Sequence, residues 1–286
     1  MKIAITGANG FVGRNLIKSI QQNAIDTEII AVVRNSNSLD TDTKVNPTLK
    51  IIQLDIHNPP SDTFEKIGAP DVLIHLAWDG LPNYNSLHHF ETELPKQYEF
   101  LSSLIRDGLK SLFITGTCFE YGMQSGELDE KMEFNPDNPY GFAKNSLRKQ
   151  LEYLQREVCF NLTWARLFYI YGDNQTGNSI FPQLKKAVKN GDTTFNMSKG
   201  EQLRDYLDIK QVANYIFRLA LLEKNIGSIN ICSGTPISIR RLVEKWIDIN
   251  SWDIKLNLGY YPYPTYEPLA FWGNNSKLET YMVINP

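Results

Sequence analysis

Residues 1–16 read MKIAITGANGFVGRNL, and the run TGANGFVG at 6–13 decides the fold. Ahead of it, KIAIT is apolar and β-branched enough for a short buried strand, while FVGRNLIKSI behind it repeats apolar side chains at helical spacing. The glycines Gly7, Gly10 and Gly13 therefore sit where a strand turns into a helix. Without Cβ atoms they allow a sharp turn, close approach of a ligand to the main chain, and tight packing of helix on strand. The N-terminus of that helix offers unpaired N–H groups and a partial positive charge to an anion. The spacing G-x-x-G-x-x-G is one residue off the G-x-G-x-x-G of the usual dinucleotide fingerprint. On the glycines alone, a tight βα turn in some other α/β protein stays open.

The rest of the first half supplies the remaining strands. TEIIAVVR reads as a second strand, LKIIQLD as a third, PDVLIHLA as a fourth, KSLFITGT as a fifth and NLTWARLFYIYG as a sixth. A polar helical stretch over 84–106 precedes the fifth strand. PYGFAKNSLRKQLEYLQREV follows it as a strong helix, with Ala143, Leu147, Leu151, Leu154 and Val158 on one face. This alternation predicts a Rossmann-type doubly wound α/β fold, a parallel sheet with helices on both faces and ligands bound at the carboxyl ends of its strands. Beyond Gly172 the rhythm breaks into helical segments at 179–191, 209–223 and 238–249 and an aromatic-rich ending. The expected division is a cofactor-binding domain over 1–170 and a smaller substrate lobe over 171–286, partly interleaved.

Composition excludes several classes. With 29 basic against 32 acidic residues, a net charge of −3 and no long basic run, nucleic acid and anionic membrane are poor partners. No apolar run approaches the roughly 18 residues of a membrane span, and KIAIT is too short for a signal-peptide core. Cys118, Cys159 and Cys232 show no paired or metal-ligand spacing, which fits a reducing compartment and a cytoplasmic protein without a metal site.

Two positions bear on the choice of dinucleotide. The second strand ends in Arg34, where the NAD version of the architecture places an acid on the adenosine ribose. A guanidinium cannot accept those hydrogen bonds but can grip a 2′-phosphate, so NADP(H) is expected over NAD(H). A solvated arginine at a strand end is the alternative. Asp55, closing LKIIQLD, is placed for the adenine amino group or, equally, to cap the following turn.

Tyr140 and Lys144 lie four apart in PYGFAK, on one helix face. A nearby ammonium is expected to lower a phenol pKa from about 10 and make Tyr140 a better proton carrier at neutral pH. Thr117, in TGTCFEYG, supplies a hydroxyl at the carboxyl edge of the sheet.

TGANGFVG, HLAW, TGTCFEYG, PYGFAK and RLFYIYG, in this order and spacing, together with LRDYLDIKQVA, resemble the extended short-chain dehydrogenase/reductases that act on nucleotide sugars. The resemblance covers nearly the whole chain. It implies that Thr117 holds a substrate oxygen, Tyr140 transfers the proton, and Lys144 binds the nicotinamide ribose. It implies that Asn9, Phe11, Val12, Ile56, Leu76, Ala77, Thr115 and Phe168 join the glycines, Arg34 and Asp55 around the cofactor. Substrate contacts are implied for Trp78, Cys118, Asn178, Phe195 and Arg204, with Tyr169 standing where the family usually has Asn.

Within that family, dehydratases carry an Asp-Glu pair just after the catalytic Thr, where this chain has Cys118 and Phe119. The Cys-His epimerase/reductases need a downstream His, whereas His57, His75, His88 and His89 all precede residue 90. Simple reduction of a nucleotide-linked 4-keto-6-deoxyhexose remains, and TGTCFEYG and YPYPTYEPLAFWG are similar to dTDP-4-dehydro-6-deoxyglucose reductases of bacterial surface-polysaccharide synthesis. The alternatives are a C4-epimerase that recycles bound NAD and a non-enzymatic NADP sensor, the second disfavoured by the Tyr-Lys pair. A homodimer is implied by the family. Most of the aromatic set Tyr260, Tyr261, Tyr263, Tyr266, Phe271 and Trp272 is expected to pack the small lobe, with Trp78 better placed to meet the sugar.

Overall fold

The computed structural model describes residues 1–23, 27–36, 49–175, 177, 179–263 and 267–284. Asn178 and Tyr266 lie outside the described residues. Among the described residues, seven strands form one parallel sheet: β1 (Lys2–Thr6), β2 (Glu28–Val33), β3 (Leu49–Gln53), β4 (Val72–His75), β5 (Ser111–Thr117), β6 (Asn161–Leu167) and β7 (Gly227–Ile231). Their order is β3-β2-β1-β4-β5-β6-β7, the Rossmann order. The chain winds outward from β1 to β3 and then crosses to β4, so the topological switch point falls between β1 and β4, where Thr6 pairs with His75.

Side-chain alternation on β1 divides the core in two. Ile3 and Ile5 face α1 (Phe11–Asn23), whose Leu16, Ile17 and Ile20 are buried against them. Ala4 faces the opposite layer, where Phe100, Leu101 and Leu104 of α2 (Leu94–Arg106) meet Leu147, Leu151 and Leu154 of α3 (Pro139–Leu154). The doubly wound architecture predicted from the strand-helix rhythm is the architecture observed.

Two local expectations are corrected. NLTWARLFYIYG is not one strand: β6 ends at Leu167, and Tyr169–Tyr171 pairs instead with Tyr206–Asp208. The break lies at Phe168, whose N–H donates to the Ile231 carbonyl at 3.3 Å while its side chain packs with Cys118, Tyr121 and Phe271. The seventh strand, β7, was not read from the sequence. GSINI is short, lies far along the chain, and has no flanking glycine turn like the first one.

The smaller lobe is built from α4 (Ile180–Asn190) and α6 (Ile239–Asn250), packed with the parallel pair Thr194–Met197 and Lys255–Leu258 around Phe181, Leu184, Phe195, Val243 and Trp246. Between these segments, α5 (Ile209–Ala220) returns to cover α1 and the sheet. α7 (Ser276–Ile284) closes the same face through Leu278. Among the described residues, no helix is long and apolar enough to cross a membrane.

Candidate active site

The glycine turn is formed as its residues require. Gly7 has φ +66°, a conformation a side chain disfavours, and a Cβ there would stand 2.9 Å from Ala77 N and 3.0 Å from the Leu76 carbonyl carbon. Gly10 N–H closes the turn onto the Gly7 carbonyl at 2.9 Å. Gly13 is needed for packing, because its Cβ would lie 2.4 Å from Gly7 O and 2.7 Å from Ala8 Cα. Bare backbone from both β1 and β4 thus lines the crevice in front of α1, with Asn9, Phe11 and Val12 around the helix start. That cradle fits a dinucleotide pyrophosphate, which needs close main-chain approach and a helix N-terminus.

The second half of the site comes from the ends of β5 and α3. Thr117 closes β5 and caps the short helical turn Cys118–Tyr121, its hydroxyl accepting the Phe119 N–H at 3.3 Å. α3 is started by Asn138, whose Oδ1 accepts the Gly141 N–H at 2.8 Å, and by Pro139 in the first turn. Gly141 is a residue the sequence reading passed over. A Cβ on it would stand 2.5 Å from Phe119 O, so only glycine lets the first turn of α3 close on the turn after Thr117. The result brings Thr117, Tyr140 and Lys144 together. The phenol of Tyr140 lies beside the Thr117 side chain, and Lys144 Nζ donates to the Thr115 carbonyl at 2.9 Å.

The electrostatics differ from expectation. Lys144 is buried, and loss of hydration pushes its pKa down to about 7, with Glu120 and Glu93 opposing. The Tyr140 phenol is pushed up, not down. Burial dominates, Tyr84, Glu120 and Cys118 act in the same sense, and the Thr117 hydrogen bond opposes. The physical reason is where the ammonium goes: toward the Thr115 carbonyl and over the Trp78 ring, 4.1 Å from its centre. Tyr140 is boxed by aromatic rings, with His89 at 5.2 Å, Tyr84 at 5.6 Å and Trp78 at 6.0 Å between centroids.

Two of the histidines are fixed as neutral partners. The Trp78 indole can only donate, so the His89 Nδ1 that it meets at 3.1 Å accepts, and His89 Nε2 donates to the Asn83 carbonyl at 2.8 Å. Burial lowers its pKa. His75 donates from Nε2 to Gln97 Oε1 at 2.7 Å and accepts at Nδ1 from Thr6 Oγ1 at 2.8 Å, and its burial pushes its pKa down to about 3. Gln97 in turn donates to the buried Glu93 at 2.9 Å. His57 Nε2 lies 2.8 Å and His88 Nε2 3.5 Å from Glu93 Oε1, so all four histidines gather behind the site. Asp79, His88 and Glu93 offer atoms within 4.8 Å of one another, but Asp79 is already paired with Arg34.

Other predicted cofactor residues are placed as follows. Arg34 reaches Asp79 at 3.1 Å, its side chain 66% exposed. Asp55 accepts from His57 N–H at 3.0 Å and Asn58 Nδ2 at 2.9 Å, which is the turn-capping alternative, and these bonds hold its carboxyl below the usual range. Ile56 is buried in the α2–α3 layer, Leu76 and Ala77 flank Gly7, and Phe168 is buried under Cys118.

Among the residues expected to meet substrate, the Cys118 thiol is buried and pushed up by desolvation and by Glu267. Tyr169 donates to Glu267 Oε1, and Arg204 donates to Glu267 Oε2 at 2.8 Å and to the carbonyls of Leu203 and Leu269 at 2.8 and 3.1 Å. Glu267 was not singled out in the sequence, because nothing local marks a carboxylate that meets a guanidinium 63 residues away. Asp205, next to Arg204, is structural: it accepts the Ser233 and Gly234 N–H groups at 2.6 and 2.9 Å. Phe195 is apart from the Tyr140 group and lines an open pocket of about 640 Å³ with Gln183, Lys186, Asn196 and Tyr261. Trp78 gives one face to Lys144 and an edge to Tyr140. Of the late aromatics, Phe271 is buried, whereas Tyr260 and Tyr261 meet edge to face at the surface.

Comparison with known proteins adds four findings. The model of the NAD dependent epimerase/dehydratase family matches residues 3–232. The dTDP-6-deoxy-L-talose 4-dehydrogenase (NAD(+)) of Aggregatibacter actinomycetemcomitans is 32% identical over 275 residues, covering 96% of this chain and 99% of the relative. The GDP-6-deoxy-D-talose 4-dehydrogenase of the same organism is 25% identical, covering 87% of this chain and 80% of that one. In structure, the UDP-N-acetylglucosamine 4-epimerase from Methanobrevibacter ruminantium M1, in complex with UDP-N-acetylmuramic acid, superposes with a TM-score of 0.84 at 22% identity, covering 98% of this chain and 91% of that one.

Proposed function

We propose, from the premise that this chain belongs to the NAD dependent epimerase/dehydratase family, that it reduces the C4 ketone of a nucleotide-linked 4-keto-6-deoxyhexose, such as dTDP-4-dehydro-6-deoxyglucose, with NADPH. The chain is an enzyme of the nucleotide-sugar oxidoreductases and epimerases that uses a pyridine nucleotide.

The observation that carries this reading is the convergence of Thr117, Tyr140 and Lys144 at the carboxyl end of β5, with Tyr140 a buried phenol beside the Thr117 side chain. A protonated phenol at this position can give its proton to a developing alkoxide. Thr117 and Tyr140 together bind the ketone oxygen, Tyr140 passes its proton to that oxygen as C4 becomes an alcohol, and Lys144 orients the nicotinamide ribose. Bound in the Gly7 crevice, NADPH supplies the hydride that C4 takes up. Cys118, Tyr169 and Arg204 face the sugar and its diphosphate, Trp78 meets the sugar, and Phe195 lies against the base. Asn178 belongs to the same substrate set.

Three further observations support this choice among the family's reactions. Cys118 and Phe119 replace the acid-base pair of a dehydratase, and the thiol is held protonated. His75 and His89 are locked as neutral hydrogen-bond partners, and His57 and His88 face Glu93, which counts against a Cys-His inversion. The relatives named as 4-dehydrogenases of nucleotide-linked 6-deoxytaloses support C4 as the reacting carbon, because C4 oxidation and C4 reduction are one reaction in two directions.

NADPH rests on Arg34, whose exposed guanidinium stands at the end of β2. The name of the first relative, which specifies NAD(+), favours NADH as the second reading. A cytoplasmic homodimer through α2 and α3 completes the proposal, supported by Phe142 and Tyr153 of α3, 49% and 60% exposed.

The test is to add dTDP-4-keto-6-deoxyglucose to enzyme and NADPH or NADH. Loss of the reduced cofactor with formation of a 6-deoxyhexose, its configuration read by NMR, is expected. Conversion between intact sugars without added cofactor would instead establish the epimerase.

A further inference from the structure

We propose that Glu120 is a positioning residue of this site: its carboxylate fixes the main chain of Thr117, and with it the hydroxyl that meets Tyr140, and it supplies a negative charge facing Lys144 and Tyr140. The inference rests on the reduction proposed above. Glu120 is fully buried. Its Oε1 accepts the Thr117 N–H at 2.9 Å and the Trp164 indole N–H at 2.9 Å, and its Oε2 accepts from Arg166 Nε at 2.8 Å. Together with the Phe119 N–H on the Thr117 hydroxyl, this is a reciprocal capping box built at the catalytic threonine.

The fold makes room for this carboxylate. Gly116 lies inside β5, and a Cβ on it would stand 2.3 Å from Glu120 Oε1 and 2.2 Å from Trp164 Nε1. The glycine of TGT is therefore explained by the space the Glu120–Trp164 bond occupies. Trp164 and Arg166 both belong to β6, so the carboxylate also ties the end of β5 to its neighbour. A buried charge is costly unless paired, and Arg166 supplies the pair, its guanidinium 4.1 Å from the Phe134 ring centre. An apolar residue in this space would strand the Thr117 N–H, the Trp164 indole and the Arg166 guanidinium, so the site calls for an acceptor at this place.

The groups that face Lys144 are Glu120, Glu93, the neutral imidazoles of His75 and His89, the Thr115 carbonyl and Trp78. Those that face Tyr140 are Thr117, Glu120, Cys118, Tyr84, His89, Phe119 and Trp78. The Glu120 charge favours protonated Lys144 and protonated Tyr140 alike. Both forms are the ones reduction requires, and removing the charge lowers both pKa values.

The test compares wild type with Glu120→Gln and, to relieve the donor left facing Arg166, with Glu120→Gln/Arg166→Met. The expected result is a kcat lower by about tenfold or more, with the alkaline limb of its pH profile moved to lower pH and KM for the cofactor unchanged. A folded variant whose alkaline limb stays in place overturns the inference. So does failure of both variants to fold under conditions where Tyr140→Phe folds, since the pair would then be purely structural. If wild type consumes no reduced cofactor, the reduction reading fails by itself. Glu120 is then judged by the ionisation of Lys144, followed by NMR of 13C-lysine-labelled protein with Lys144→Met for assignment. Ionisation at lower pH in Glu120→Gln is expected, and an unchanged titration contradicts the proposal.

Discussion

Lys144 and Thr115 are joined at 2.9 Å, the ammonium of α3 donating to a carbonyl inside β5 one strand pair from the glycine turn. This bond sets the position of the lysine but does not replace its hydration. The consequence is a pKa pushed down to about 7 from an ordinary 10.5. Between those values the folded chain binds fewer protons at this site than the unfolded chain, so wild type gains stability as pH rises through that window. Lys144→Met is expected to resist denaturant better than wild type at pH below 7, with that advantage shrinking toward pH 10.5. Denaturant midpoints for both proteins across the range check this. A difference independent of pH would contradict it.

Replacing Tyr140 with Phe removes the proposed proton donor and leaves the ring contacts to His89, Tyr84 and Trp78. We expect kcat to fall by about 10² to 10⁴, the usual worth of general acid help, with melting temperature and cofactor affinity near wild type. Turnover within a fewfold of wild type would remove Tyr140 from the chemistry.

Gly141 is the position at which packing and catalysis meet. Alanine there would place a methyl 2.5 Å from Phe119 O and drive the first turn of α3, which carries Tyr140, away from the turn that carries Thr117. Overpacking of this kind costs about 1–3 kcal/mol. A urea midpoint lowered accordingly, with kcat reduced beyond the loss of folded protein, is the expected outcome; an alanine variant that matches wild type in both would show that the contact yields.

Much of this arrangement was legible in the sequence, because its signals are local. The glycines at 7, 10 and 13, the apolar strands and the Tyr140–Lys144 spacing each depend on residues within one turn or one strand. What escaped depends on distant partners. Glu120 finds Arg166 46 positions on, Arg204 finds Glu267 across 63, and β7 joins the sheet by pairing Gly227 with Thr163. The direction of the Tyr140 shift also escaped, since helix spacing placed the ammonium nearby but not the Thr115 carbonyl and Trp78 ring that take it up. Asp55 shows the limit from the other side: both of its readings were open in the sequence, and the bonds to His57 and Asn58 show the turn cap.

Arg34 tests the cofactor. If its guanidinium grips a 2′-phosphate, Arg34→Ala lowers kcat/KM for NADPH by about 10- to 100-fold, the worth of one charge-assisted hydrogen bond, and leaves NADH unaffected. Its surface pair with Asp79 is worth little by itself, so the melting temperature is expected to stay in place. Equal use of both cofactors by wild type would assign Arg34 to that pair alone.

The most direct measurement is deuterium transfer. Wild type is incubated with dTDP-4-keto-6-deoxyglucose and reduced cofactor deuterated at the transferable position, and the product is read by NMR. The account predicts deuterium at C4 of the sugar, one cofactor oxidised per alcohol formed, and loss of the signal in Tyr140→Phe. A C4 that carries no deuterium, or sugar interconversion with no net oxidation of cofactor, would contradict it.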